Sequence, residues 1–461
     1  MKIRQFEIPG LSQYSYLISS GSDGIVIDPM RDFDRYLNYA AEQDLTIRYV
    51  TETHIHADFA SGAHSLAKAA GAELVLSGHD QGERYSYSMN HKRLHDGDEL
   101  QVGQARLKAL HTPGHTPEHL SFVLFDDERN SSEPLALFSG DFLFVGSFGR
   151  PDLLGESEKQ RLAHELYRSL HERIRTLPDG VTVYPGHGAG SLCGSGMSIR
   201  PESSLGYERA TQPLFGLNED AFVREVLASV PAMPSYYPRM KGLNAEGAVD
   251  FRAVPPLRLT SPQELSSRLK EGEIILLDIR RPEAFGGAHI PGALNIGAGQ
   301  NLSLWAGWML DPETPIFLVS ETEEVAEARL SLLRVGLDKV EGQIKKGMPA
   351  WIDAGLPIAR IPQLSTQEVQ GRAEDAVVVD VRSDQEWTAG RISKAKHIML
   401  GDLPQHLSEL AKDGPLITVC GTGYRSSIAA SLLQREGFTN VSSMAGGMTA
   451  WNAQELPSEK T

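Results

Sequence analysis

Cysteine is nearly absent from this chain: Cys193 and Cys420 are the two thiols in 461 residues. Two thiols cannot build a disulfide framework, so a reducing compartment, the cytoplasm, is expected. Basic charge is short as well. Lys and Arg number 44 against 60 Asp and Glu, a formal charge of −16. That balance leaves no basic stripe for a phosphate backbone, and no nucleic-acid partner is expected. Apolar runs of about 18 residues are missing, which argues against a membrane span. Residues Met1–Glu7 lack the apolar segment of a signal peptide. What remains is an ordinary globular composition, 41% hydrophobic and 23% charged. Its length suits two to four domains.

Clustered imidazole is what the chain does have. Thr53-His54-Ile55-His56-Ala57-Asp58-Phe59 follows the apolar strand Ile47–Val50, so two rings and a carboxylate collect at a strand's end. Downstream come Gly114-His115-Thr116-Pro117, Ser139-Gly140-Asp141 and Tyr184-Pro185-Gly186-His187-Gly188. Residues 1–200 read as strands alternating with helices. Tyr14–Ile18 and Gly24–Ile27 form a hairpin pair, and Asp34–Gln43 and Ala63–Ala70 have helical spacing. Leu120–Phe125, Leu135–Ser139 and Val181–Tyr184 are short strands. Residues 201–258 carry Pro201, Pro213, Pro231, Pro234 and Pro238 around one helical patch, Glu219–Ala228. This stretch reads as a packing arm and linker whose Tyr236-Tyr237-Pro238 cluster is able to dock on a domain.

The last 200 residues contain an internal repeat. Leu276-Leu277-Asp278-Ile279-Arg280 returns as Val378-Val379-Asp380-Val381-Arg382, about 100 residues later. Gly347-Met348-Pro349-Ala350-Trp351 returns as Gly447-Met448-Thr449-Ala450-Trp451, and Ile316–Ser320 aligns with Leu416–Cys420. Each copy, 259–360 and 361–461, has the length of a small domain.

The four metal-type segments, in this order, resemble the metallo-β-lactamase superfamily, whose first run usually reads His-x-His-x-Asp-His. Here the closing His is Phe59. A benzyl group cannot coordinate a metal, so one of the two sites typical of the family's hydrolases loses a ligand, and a mononuclear centre is expected. The two repeats resemble the rhodanese fold. The fold class that follows is α/β throughout: an αββα metallo-β-lactamase sandwich, then two rhodanese-like α/β domains. Within the superfamily the pattern is similar to the persulfide dioxygenases. That resemblance implies one Fe(II) per chain on His54, His115 and Asp141, the facial-triad ligand set. His56, Asp58 and His187 would orient those ligands or bond to iron-bound water. Arg150, in Phe148-Gly149-Arg150-Pro151-Asp152, either clamps Asp152 or supports the metal and an anionic thiol substrate. Tyr184 joins it as a candidate near the substrate. Cys193 lies in the Gly- and Ser-rich loop 190–196, where backbone N–H groups lower a thiol's pKa. It is expected to be catalytic, taking sulfur from an arriving persulfide or shaping the substrate channel, or else to be an inert small residue.

Cys420-Gly421-Thr422-Gly423-Tyr424-Arg425 opens a loop between an apolar strand and a helix. Successive N–H groups there favour a thiolate and its persulfide, and Arg425 adds a positive charge. Catalytic sulfur transfer through Cys420 is expected. In the first copy Ser320 replaces the Cys, Val325 replaces the Arg, and Glu321, Glu323 and Glu324 crowd the loop, so that copy is expected to be inactive. The combined expectation is a dioxygenase that oxidises a thiol persulfide (of glutathione, coenzyme A or similar) with O2 to sulfite. Sulfur transfer by the rhodanese domain would then give thiosulfate, a sulfide-detoxifying pair of activities in a homo-oligomer. Two alternatives stand beside it: a zinc thioester hydrolase of the glyoxalase II type fused to a sulfurtransferase, and a non-catalytic persulfide sensor or sulfur relay.

Overall fold

A computed structural model describes residues 1–321 and 324–460, with Ser131 described by its backbone alone. The chain divides into two compact units. One comprises Met1–Val254 with Leu333–Gly336, the other Pro255–Leu332 with Leu337–Thr461. Among the described residues no helix is long and apolar enough to cross a membrane.

The first unit is built on two six-stranded sheets. In one, β1 (Lys2–Ile8), β2 (Gln13–Ser20), β3 (Asp23–Ile27), β4 (Thr46–Thr51), β5 (Glu73–Ser77) and β6 (Lys92–Leu94) lie in sequence order. The first three are antiparallel and the rest run parallel. The second sheet has β7 (Glu99–Val102), β8 (Ala105–His111), β9 (Leu120–Asp126) and β10 (Asn130–Gly140) as an antiparallel meander. A short hairpin, β11 (Leu143–Phe144) with β12 (Ser147–Phe148), follows it. Then β13 (Thr182–Pro185) adds parallel to β10, and β14 (Ser203–Ser204) closes the edge.

Alternation along the strands builds three apolar layers. On β2, Tyr16 and Ile18 point between the sheets and meet Leu107, Phe122 and Phe138, while Leu17 points outward to Tyr36, Leu66 and Val50. On the far side Leu137 and Val183 pack against Leu166 and Phe222 from helices Lys159–Arg168 and Glu219–Ser229. Both faces of each sheet are thereby covered, as the αββα expectation requires. Of the strands overlooked in the sequence, β1, β6 and β7 lie at sheet edges and β8 carries Arg106 and Lys108 on one face, while β5 is a short apolar inner strand.

The arm differs most from its sequence reading. Tyr237–Glu246 is a helix, with Pro238 in its first turn. A proline there forfeits no helical hydrogen bond, because the first N–H groups have no partner in the helix.

In the second unit each repeat forms its own five-stranded parallel sheet. The orders are Arg258–Thr260, Val340–Ile344, Ile316–Val319, Ile275–Asp278, Leu294–Asn295 and, in the same pattern, Gln363–Leu364, Val441–Met444, Leu416–Val419, Val377–Asp380, Lys396–His397. The copies share fine detail. Trp351 Nε1 donates to Pro357 O at 2.8 Å, and Trp451 Nε1 to Pro457 O at 3.1 Å. Arg280 and Arg382 fork onto the buried Asp278 and Asp380 in the same way.

Candidate metal centre and sulfur-transfer loop

The strands end where the histidines begin. His54 follows β4, His115 lies in the turn between β8 and β9, Asp141 follows β10, and His187 follows the parallel β13. His54 Nε2, His115 Nε2 and an Asp141 oxygen lie within 4.8 Å of one another, all buried. Asp141 Oδ2 is 3.8 Å from the first nitrogen and 3.5 Å from the second. Among the described residues these three atoms have no hydrogen-bond partner.

The other side of each group is engaged. Thr53 Oγ1 donates to Asp28 Oδ2 at 2.9 Å and therefore accepts from His54 Nδ1, also 2.9 Å away. His115 Nδ1 donates to the carbonyl of Arg150 at 2.9 Å. Both rings are thus held as the tautomer that leaves Nε2 with a free lone pair. Burial, and then neighbouring imidazoles, push both rings well below the usual histidine range, so they stay neutral. Asp141 Oδ1 meets His187 Nδ1 at 2.8 Å. A Cβ on Gly186 would stand 2.4 Å from that oxygen, so only glycine lets the last loop approach this closely. Three neutral-or-anionic donors, buried, convergent and otherwise idle, fit a metal ion, since buried polar atoms are rarely left unpaired.

The remaining predicted residues sort by contact. His187 bridges Asp141 and Asp58, with Nε2 2.8 Å from Asp58 Oδ2. Burial opposes its charge, but the two flanking carboxylates outweigh that and raise it well above the usual range. His56 turns away from the trio to Asp28 Oδ1 at 3.0 Å, and its ring lies 4.4 Å from that of Phe59. Phe59 is fully buried.

Arg150 is committed to protein: its guanidinium bonds Asp152 twice, Leu192 O and Pro231 O. It supports the centre through its backbone carbonyl on His115, and the loop-clamp expectation is the one its geometry matches. Tyr184 packs its ring on Phe138 and Tyr16 between the sheets, away from the trio. The alternation along β13 sends Val183 to the outer layer and Tyr184 inward. Cys193 is brought to the site, grouped with Asp58 and His187. The expected lowering of its pKa is reversed: burial first, then Asp58 and Asp141, push the thiol well up.

Several positioning residues carry no motif. Asp28 also accepts from the Thr53 N–H, and His119 Nε2 accepts from the Asp141 N–H at 3.2 Å. The His115-x-x-x-His119 spacing was the available signal for the latter. The arm helix clasps the metal run. Lys241 Nζ donates to Ile55 O at 2.8 Å while Glu118 accepts from Ile55 N–H at 2.9 Å. Asn244 donates to His56 O and Phe59 O and accepts from Ser61 N–H. Tyr236 donates to Asp58 O.

In the second unit Cys420 ends its strand fully buried, and its sulfur accepts from Gly423 N–H at 3.1 Å. Gly447, at φ +56°, lets the chain pass: a Cβ there would meet Cys420 O at 2.3 Å, as one on Gly347 would meet Ser320 O. Arg425 does not stand as a bare charge. It forks onto Glu386 with bonds of 2.6 and 2.7 Å. Burial would raise Glu386, but Arg425 and Ser383 hold it at about 2. In the first repeat Glu321 pairs with Arg280 at 3.1 Å, and Val325 begins the following helix. Glu323 lies outside the described residues. The helix after Cys420, Tyr424–Arg435, leans on the first repeat: Tyr424 donates to Gly297 O, Ser427 to Asn295 Oδ1, and Asn295 N–H donates to Ser431.

Residues 8–187 match the model of the metallo-β-lactamase superfamily, and residues 261–354 and 365–454 that of the rhodanese-like domain. The mitochondrial persulfide dioxygenase ETHE1 of Bos taurus is 30% identical over 226 residues, 48% of this chain and 79% of that protein. A hydroxyacylglutathione hydrolase of Dictyostelium discoideum is 32% identical over 177 residues, 38% of this chain and 61% of the hydrolase. The crystal structure of a metallo-β-lactamase from Staphylococcus aureus subsp. aureus COL aligns with a TM-score of 0.67 at 36% identity, covering 75% of this chain and 98% of that one. The chain belongs to the metallo-β-lactamase superfamily, has persulfide dioxygenases among its relatives, and joins that domain to two rhodanese domains.

Proposed function

We propose that the first domain is a mononuclear iron persulfide dioxygenase and that the last transfers persulfide sulfur to sulfite. The observation that carries this is the set of three idle, buried ligand atoms on His54, His115 and Asp141, with Phe59 where a further ligand would stand. Two imidazoles and one carboxylate form the set that suits a non-haem iron with open positions. The persulfide dioxygenase relative gives that set its chemistry.

Iron, when bound, supplies the redox chemistry between O2 and the persulfide. The outer sulfur gives up four electrons to O2, water completes the sulfite, and the thiol is released. The protein's own groups hold the geometry: Thr53 and the Arg150 carbonyl fix the imidazole tautomers, and His187 holds a proton between Asp141 and Asp58. At the rhodanese loop, the Cys420 thiolate attacks the outer sulfur of a further persulfide and releases its thiol. Sulfite then attacks that sulfur, the Cys420 S–S bond breaks, its electron pair returns to Cys420, and thiosulfate leaves. The Gly423 N–H aimed at the sulfur supports the anion during both steps. Oxygen uptake and sulfite release with glutathione and coenzyme A persulfides, beside metal analysis, test this reading. Two zinc ions per chain and thioester hydrolysis without oxygen uptake would mark a hydrolase instead.

A further inference from the structure

The two repeats serve as each other's control at one buried arginine. Arg280 and Arg382 are held alike: Nε and Nη2 fork onto the aspartate two residues earlier, and Nη2 also reaches a carbonyl, Ala288 O or Gly390 O. They differ at Nη1. In the first repeat it donates to the Glu321 carboxylate at 3.1 Å. In the second repeat the matching residue is Gly421, which has no side chain to offer. Arg382 is 5% exposed, yet its Nη1 has no hydrogen-bond partner among the described residues. Polar groups buried to that degree ordinarily find one.

Arg382 also walls an open cavity of about 280 Å³, together with Glu386, Asn452, Ser458 and Lys460. Asp380 pairs with Arg382 and Glu386 with Arg425, so the charge of Lys460 makes the lining net positive. The first repeat has Ala284, Ile352 and Ile358 at the places of Glu386, Asn452 and Ser458. The polar lining therefore belongs to the copy that carries the cysteine. The apolar one belongs to the copy whose arginine is filled from within.

We propose that this cavity is a carboxylate-binding subsite beside the Cys420 loop, in which Arg382 Nη1 anchors the carrier of an arriving persulfide. The inference rests on the reading of Cys420 as a sulfur acceptor and adds a substrate class, a small thiol bearing a free carboxylate. Glu321 supplies the internal precedent: its carboxylate reaches Arg280 Nη1 from the residue that follows Ser320, the counterpart of Cys420. A bound carboxylate takes that place on Arg382, one residue from the nucleophile. Lys460 adds charge, and Asn452 and Ser458 offer an amide and a hydroxyl to the rest of the carrier.

The persulfides of N-acetylcysteine and N-acetylcysteine amide are a matched pair, alike except for the carboxylate. Each is given to the full-length protein without oxygen, and the gain of sulfur on the Cys420 peptide is followed by mass spectrometry. Rates are normalised to the reaction of each donor with a free thiol. At low concentration the acid is expected to load Cys420 about tenfold faster than the amide, the contribution of one charge-assisted hydrogen bond. The double variant Asn452→Ile, Ser458→Ile, which installs the first repeat's side chains, lowers that ratio. Gly421→Glu supplies an internal carboxylate and brings it close to one. The ratio compares two donors on the same protein, so a general loss of activity does not move it. Equal loading by acid and amide, or a ratio unchanged in the isoleucine variant, overturns the subsite and leaves sulfur transfer standing. Loading by neither donor sinks the sulfur-transfer reading and the subsite with it.

Discussion

Asp141 divides its labour between its two oxygens. Oδ2 faces His54 and His115 without a partner, and Oδ1 holds His187. Asp141→Ala removes both functions, so metal content is expected to fall from one per chain to near zero and oxygen uptake to vanish. Retained stoichiometric metal would move the centre elsewhere. Glu386 gives a prediction in pH. Its carboxyl is held at about 2 in the folded chain against an ordinary 4.5. A depressed carboxylate contributes stability above its unfolded value and loses it as pH falls toward the folded one. The stability difference between the protein and Glu386→Gln, followed by thermal unfolding, should therefore be constant above about 4.5 and shrink as pH approaches 2. At this scale the sequence made ligand identities legible, since His54, His115 and Asp141 sit in recognisable runs. It could not show where a long side chain spends its hydrogen bonds. Arg425 reads as a bare charge and folds onto Glu386, and Arg150, whose clamp on Asp152 is one of its two readings, also donates to Leu192 O and Pro231 O, because a buried guanidinium must be paired.

The arm helix, Tyr237–Glu246, is the element that changes the account of the site. Its Asn244 amide spans the loop from His56 to Ser61, and its Lys241 with Glu118 takes both polar groups of the Ile55 peptide. Asn244→Ala would strand two carbonyls and one N–H in a buried place. It is expected to cost about 3 kcal/mol in denaturant unfolding, after partial relaxation, and to weaken metal retention against a chelator. Unchanged retention would make the helix a packing element only. Five prolines made this stretch read as linker, with docking left to Tyr236 and Tyr237. The prolines mark helix starts and loops, while the functional contacts run through single polar side chains that have no period to detect. The strands and helices with clear alternation, such as β2 to β4 and Ala63–Ala70, needed no such help.

For the molecule as a whole, the two proposed chemistries fall in two units. Cys420→Ser should leave sulfite production from added persulfide largely intact while thiosulfate production falls to background. Collapse of oxygen uptake in the same variant would refute that division. Ser320→Cys should not create a second sulfurtransferase, since Glu321 and Val325 occupy the places of a neutral loop and its arginine.

The repeat has a practical corollary. The helix behind Cys420 presents Ser427 and Ser431, both buried, to Asn295, and Tyr424 to Gly297. Cutting the chain at residue 361 would strip that face and hand those hydroxyls to water. The copy without a cysteine thus covers one face of the helix behind Cys420, and a protease or a cloning boundary between the two copies lays that face bare.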